Sequence, residues 1–181
     1  MDIRIFKTKQ QIKEAFLKLR EKDRPERIKV KDICETADIN KTTFFKHYVD
    51  SYDLSREIED ACVDRVVNGF AEREDLLKNP AAYLDGLSKS IQRELGNLKA
   101  VYHDRGEVLC AKLEERLKKC YEHVEERGDK IKISFIIGGF IGVMRDNIFG
   151  EKLCELKDAV ADYITYISLY HPMKRAAGES T

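Results

Sequence analysis

The 181-residue chain holds only three prolines, and each stands at the edge of a stretch whose apolar residues recur every three or four positions. Pro25 follows the stretch with Ile5, Ile12, Ala15, Phe16 and Leu19. Pro80 opens the one with Tyr83, Leu84, Leu87, Ile91 and Leu95, and Pro172 stops the one with Leu156, Val160, Tyr163, Ile164, Ile167 and Tyr170. That spacing places apolar side chains on one face of an α-helix, and a proline inside a helix removes a backbone hydrogen bond. With ten glycines and 36% charged residues, the chain is predicted to be all-α, with about nine helices and no strand. Asp50, with Asp53 three residues on, caps a helix toward Gly69. Asn79-Pro80 supplies an N-cap and a first helical position. Gly96 ends that helix, and a short one follows over Leu98 to Asp104. The stretch from Glu107 to Arg127 reads as a longer helix closed by Gly128. Ile131 to Phe149 is apolar almost all round, which predicts burial on most sides.

The net charge is zero, but it is unevenly spread. Residues 1–48 carry thirteen basic and eight acidic residues, a net of +5, which leaves −5 for the rest. A basic quarter on an acidic body suggests a module that faces a polyanion. The five cysteines form no CxxC pair, and the chain shows no signal peptide. Both point to a reducing, cytoplasmic chain without a disulfide framework. The longest apolar stretch, Ile133 to Met144, is too short to span a membrane. The four histidines lack metal-ligand spacing, and no phosphate loop, nucleophile elbow or HExxH motif is present. We therefore read no catalytic residue, no metal site, no cofactor and no enzyme.

The informative stretch is Lys29 to Tyr48. Helical spacing through Val30, Ile33, Cys34 and Ala37 breaks at Asp38-Ile39-Asn40 and resumes with Phe44 and Tyr48. Cys34 and Ala37 are small enough for two helices to cross. Asp38 tolerates the left-handed backbone that a tight turn needs. Ile39 plugs the angle, and Asn40 caps the second helix through the Thr43 amide. Phe44 and Tyr48 point inward at i and i+4. Lys41, Thr42, Thr43, Phe45, Lys46 and His47 form the outward face. Lysine donates to guanine O6 and N7, threonine meets either base type or a thymine methyl, and lysine and histidine reach phosphates.

This stretch resembles the DNA-binding domain of TetR-type transcriptional regulators, whose pattern runs Val-x-x-Ile-Ala-x-x-Ala-Gly-Val-Ser-Lys-Gly-Thr-Phe-Tyr-x-His-Phe-x-x-Lys-x-x-Leu. Val30, Ile33, Ala37, Lys41, Thr43, Phe44, His47 and Leu54 match it in place. Ser134 to Val143 is similar to the penultimate helix of one subgroup. The resemblance implies a three-helix helix-turn-helix domain over residues 1–50 and a helical ligand-binding and dimerisation domain over 51–181. It implies DNA contacts from Lys7, Thr8, Lys29, Lys31, Asn40, Lys41, Thr42, Thr43, Phe45, Lys46, His47 and Tyr48. The departures that bear on DNA binding are these. Asp38 replaces the turn glycine, Phe45 a phosphate-reaching tyrosine, Ser51 a lysine, and Lys29 a capping threonine. With two phosphate-reaching side chains replaced and one lysine added, binding is predicted to be weaker or more operator-dependent.

One short helix reads few base pairs, so such modules pair on near-palindromic half-sites. For the homodimer we expect an interface of Phe135, Gly138, Gly139, Gly142, Tyr163 and Ile167, because glycines inside a helix want a packing reason. The resemblance also implies a small-molecule effector, of unknown identity, for which Tyr83, Tyr102, His103 and Tyr121 are the lining candidates. The function so read is a repressor binding double-stranded DNA. The alternative is a protein of the same fold, DNA-binding or co-activating, controlled by a protein partner.

Overall fold

The computed structural model describes residues 3–69, 76–103 and 105–145. Every regular element among them is helical: α1 (Ile3–Arg20), a 3-10 turn (Pro25–Arg27), α2 (Val30–Thr36), α3 (Lys41–Phe45), α4 (Ser51–Asn68), α5 (Pro80–Tyr102), α6 (Gly106–Lys119) and α7 (Arg127–Arg145). None of these helices is long and apolar enough to cross a membrane. The expected last helix, with Tyr163 and Ile167, lies outside the described residues.

The seven described α-helices are fewer than the nine expected, and one reason is local. The chain does not break at Gly96, and α5 runs through it to Tyr102. A helical glycine costs about 1 kcal/mol relative to alanine, and the burial of Ile91, Leu98, Val101 and Tyr102 on either side of Gly96 outweighs it. Gly128 likewise does not close a helix but lies in the first turn of α7, and α6 ends at Lys119 instead of reaching Arg127. After Leu117 no α6 residue is buried. Cys120, Tyr121 and His123, poor helix formers, continue as turns.

Two helix starts follow the expected capping. The Asp53 amide donates to Asp50 Oδ1 at 2.7 Å while the Val49 amide donates to Asp53 Oδ2 at 3.1 Å. The Ala82 amide donates to Asn79 Oδ1 at 3.2 Å, with Pro80 at the first helical position.

The chain divides into two compact units, Met1–Arg65 with Glu94–Arg105, and Val66–Arg93 with Gly106–Thr181. The first unit therefore extends past the boundary expected at residue 50. Buried polar bonds explain the extension. Arg20, 2% exposed, donates from Nη1 to the Asp23 carbonyl at 2.7 Å and from Nη2 to the Val101 carbonyl at 2.9 Å. Glu59 of α4, also buried, accepts from Arg105 at 2.7 Å and Ser55 at 3.1 Å, and its carbonyl accepts from the Tyr102 hydroxyl at 3.1 Å. A buried charge is tolerated when it is paired and hydrogen-bonded.

In the second unit α6 packs against α7. Leu109, Cys110, Leu113 and Leu117 are buried on α6. Ile133, Ile136, Ile137, Phe140, Ile141 and Met144 are buried on α7.

Candidate nucleic-acid interface

The interface is built on the turn between α2 and α3. The Ile39 amide donates to the Cys34 carbonyl at 3.0 Å, and the Asp38 amide reaches the Glu35 carbonyl at 3.4 Å. Paired bonds of this kind close a helix with a left-handed residue between them. That residue is Asp38, at φ 52°. The expected turn is present, held by an aspartate in a conformation that glycine adopts more cheaply.

Asn40 then caps α3. Its Oδ1 accepts from the Thr43 amide at 2.8 Å and from the Thr43 hydroxyl at 2.9 Å. Both side chains were expected to face DNA, and the structure commits the Asn40 Oδ1 and the Thr43 hydroxyl to this cap. At α2 the Lys29 amide donates to Asp32 Oδ2 at 3.4 Å, and Lys29 itself is exposed.

Five residues form α3, too few for a helix that holds itself. Its only buried residue is Phe44. The ring of Tyr48 lies 5.7 Å from that of Phe44, and Phe45 meets Phe44 edge-on at 5.6 Å. Tyr48 is the one expected DNA contact that the structure removes from the surface. It is 2% exposed, and its ring belongs to the core beneath α3. Burial, then the nearby charges of Glu57 and Asp53, push its phenol far above its ordinary pKa, so it stays neutral. Its hydroxyl lies near Glu57 but makes no well-formed hydrogen bond.

The remaining candidates lie outward. Lys7, Lys29, Lys31, Lys41, Thr42, Phe45 and Lys46 are exposed, while Thr8, Thr43 and His47 are half-buried. Phe45 leaves 55% of its surface in water. Lys31 pairs with Glu35 at 3.6 Å, an exposed i,i+4 bridge worth little against a phosphate. The Thr8 hydroxyl donates back to the Arg4 carbonyl at 3.0 Å. Cys34 is buried below the turn. Burial raises its thiol pKa, with the Lys41 charge opposing.

One constellation was not anticipated. Glu57 of α4 accepts from Lys9 at 3.1 Å and from Lys13 at 2.8 Å, both on α1. Partial burial would raise the Glu57 carboxyl, but the hydrogen bonds and charges of Lys13 and Lys9 outweigh it and hold the group below its ordinary pKa. Lys9 also lies 5.1 Å over the Tyr48 ring. The spacing of Lys9 and Lys13 was visible in the sequence, but the acceptor, more than forty residues on, was not.

The expected effector residues divide between the two units. Tyr83 and Tyr121 belong to the second unit, with ring centroids 6.3 Å apart. Tyr102 and His103 belong to the first. Tyr102 is buried on Glu59, and His103 is exposed beside the α1–α2 turn in a cleft of about 490 Å³. No cluster of metal-ligating side chains occurs among the described residues.

This architecture has a counterpart among solved structures. The crystal structure of a transcriptional regulator (TerR/AcrR family) from Aquifex aeolicus VF5 matches 88% of this chain and 99% of its own, at 22% identity and a TM-score of 0.59. The chain has that regulator's fold. No protein-family model matches the sequence, and no curated protein does. The expected TetR-type resemblance and the all-α fold class are borne out at the level of the fold.

Proposed function

We propose that the chain is a sequence-specific DNA-binding transcriptional regulator, a repressor acting as a homodimer on a near-palindromic operator in the cytoplasm, and a binding protein rather than an enzyme. The observation that carries this reading is the α2–α3 pair. A left-handed Asp38 turn and an Asn40 cap present Lys41, Thr42, Phe45 and Lys46 outward from a helix anchored through Phe44. Lys7 and Lys29 add exposed charge for the backbone. With a phenyl group at Phe45 and a serine at Ser51, two side chains that would reach phosphates are missing, so the affinity depends more on base contacts.

The homodimer is supported by α7. Ile131 and Phe135 are 61% and 59% exposed, and Val143 is 37% exposed. This corrects the expectation of a helix buried on most sides, since its second apolar face is open. Among the described residues, Gly139 and Gly142 have nothing within 4 Å of where a Cβ would sit, and Gly138 meets the Glu114 carboxylate at 3.7 Å. Among the described residues no close approach requires these glycines, although each costs about 1 kcal/mol in a helix. A second copy approaching across a two-fold axis supplies both a reason for them and cover for Phe135. Small-molecule control is what the resemblance implies, and it completes the proposed reading.

The test is a mobility-shift titration with duplexes flanking the chain's own gene. We expect one or more shifted complexes with a dyad-symmetric footprint, and Lys41→Ala to weaken the operator complex by about 1–3 kcal/mol. Equal affinity for every duplex contradicts the reading.

A further inference from the structure

We propose that Glu57 and Lys9 are positioning residues for α3, setting how the reading helix is presented without touching DNA themselves. The proposal rests on the DNA-binding reading above and deepens it. A five-residue helix with one buried side chain takes its orientation from whatever holds that side chain. Phe44 rests against Tyr48, with ring centroids 5.7 Å apart, so what holds the Tyr48 ring also orients α3. One contact on that ring is the Lys9 ammonium, 5.1 Å from its centroid. Lys9 is held there by Glu57 at 3.1 Å, and Lys13 binds the same carboxylate at 2.8 Å. The sequence of contacts runs from α4 through α1 to Tyr48 and into α3. Its charges are one carboxylate and two ammonium groups, all part-exposed. An ammonium over an aromatic face is attracted by the ring's quadrupole, and more strongly when partly desolvated.

This arrangement separates specific from non-specific binding. Deleting the Glu57 charge releases two lysines and makes the DNA-binding unit more positive, which strengthens sequence-blind attraction to phosphates. It also loosens Lys9 over Tyr48, and so loosens the orientation on which base contacts depend. A role confined to stability would lower the unfolding midpoint and leave both affinities alone at temperatures where the protein is folded.

The experiment measures affinity of the full chain for an operator selected from a randomised duplex pool, and for a scrambled duplex of equal length, at three salt concentrations. For Glu57→Gln we expect operator affinity to fall about tenfold and scrambled-duplex affinity to rise about two- to threefold. Lys9→Met keeps an unbranched apolar stem near Tyr48 and guards against misfolding of the first variant. It should lower the ratio of the two affinities about fivefold or more. Lys13→Met, which leaves Lys9 on its carboxylate, should lower it less. Tyr48→Phe keeps the ring and should retain the ratio that Tyr48→Leu loses. An unchanged ratio in folded Glu57→Gln or Lys9→Met overturns the proposal, as does a Lys13→Met effect equal to that of Lys9→Met. If the wild-type chain itself prefers no duplex, the DNA-binding reading fails instead, and the variants are not needed to see it.

Discussion

The helices α3 and α7 both show unusual surfaces, and they are opposites. On α3 a single ring is buried, and the exposed side carries Lys41, Thr42 and one phenylalanine, Phe45, with Lys46 just beyond. On α7 six apolar residues are buried, and the exposed side carries Ile131, Phe135, Val143 and glycines. A helix that offers charge to water loses little by staying exposed. One that leaves a phenylalanine 59% exposed beside open glycines gains by being covered. The two helices therefore suit partners of different chemistry, a polyanion for α3 and a second apolar surface for α7.

Truncating one ring on each helix puts this contrast under the greatest strain. Phe44→Ala removes the only buried side chain of α3 and should cost about 3–5 kcal/mol in urea unfolding, with loss of DNA binding. Phe135→Ala should change the unfolding of a dissociated chain by less than about 0.5 kcal/mol, because its ring is exposed. Comparable losses at the two sites would end the distinction. A smaller effect concerns α7 alone. Gly139→Leu meets nothing within 4 Å among the described residues, so it should leave the monomer fold intact. Across an interface it should raise the dimer dissociation constant about 10- to 100-fold in sedimentation, from an overpacking cost of ~1–3 kcal/mol. An unchanged dimer places the interface elsewhere.

Two further effects are smaller and belong to the α3 half. Asp38→Gly relieves a non-glycine residue at φ 52° and should stabilise the chain by up to about 1 kcal/mol, read as a raised denaturation midpoint. Destabilisation would mean that the Asp38 side chain has a role beyond the turn. Glu57 has a folded-state carboxyl below its ordinary pKa. Its contribution is therefore present above the unfolded-state value and is lost as pH falls through the lower folded-state value. Urea midpoints measured downward from pH 6 should fall less steeply for Glu57→Gln than for the wild type, and parallel curves would contradict the ion pairs with Lys9 and Lys13.

Local chemistry made much of the fold legible. Asn40, Asp50 with Asp53, and Asn79 with Pro80 act within three residues of themselves, so their roles are written in short segments. Asp38 belongs with them. Gly96 and Gly128 misled for the converse reason, because a glycine's small local penalty yields to burial contributed by neighbours along the helix. The candidate interface was legible in its outward residues and less so in what holds them. Asn40 and Thr43 bind one another, and Tyr48 is buried. Arg20 and Glu59 are buried charges whose partners, Val101 and Arg105, lie tens of residues away, and no short pattern announces such pairs.

Whether the outward side of α3 reads bases is decided by titrating the wild type and Lys41→Ala against the selected operator and a scrambled duplex in parallel. The wild type should show a marked operator preference, which Lys41→Ala diminishes by about 1–3 kcal/mol with little change on the scrambled duplex. Equal losses on both duplexes, or no loss on either, would contradict a base-reading α3.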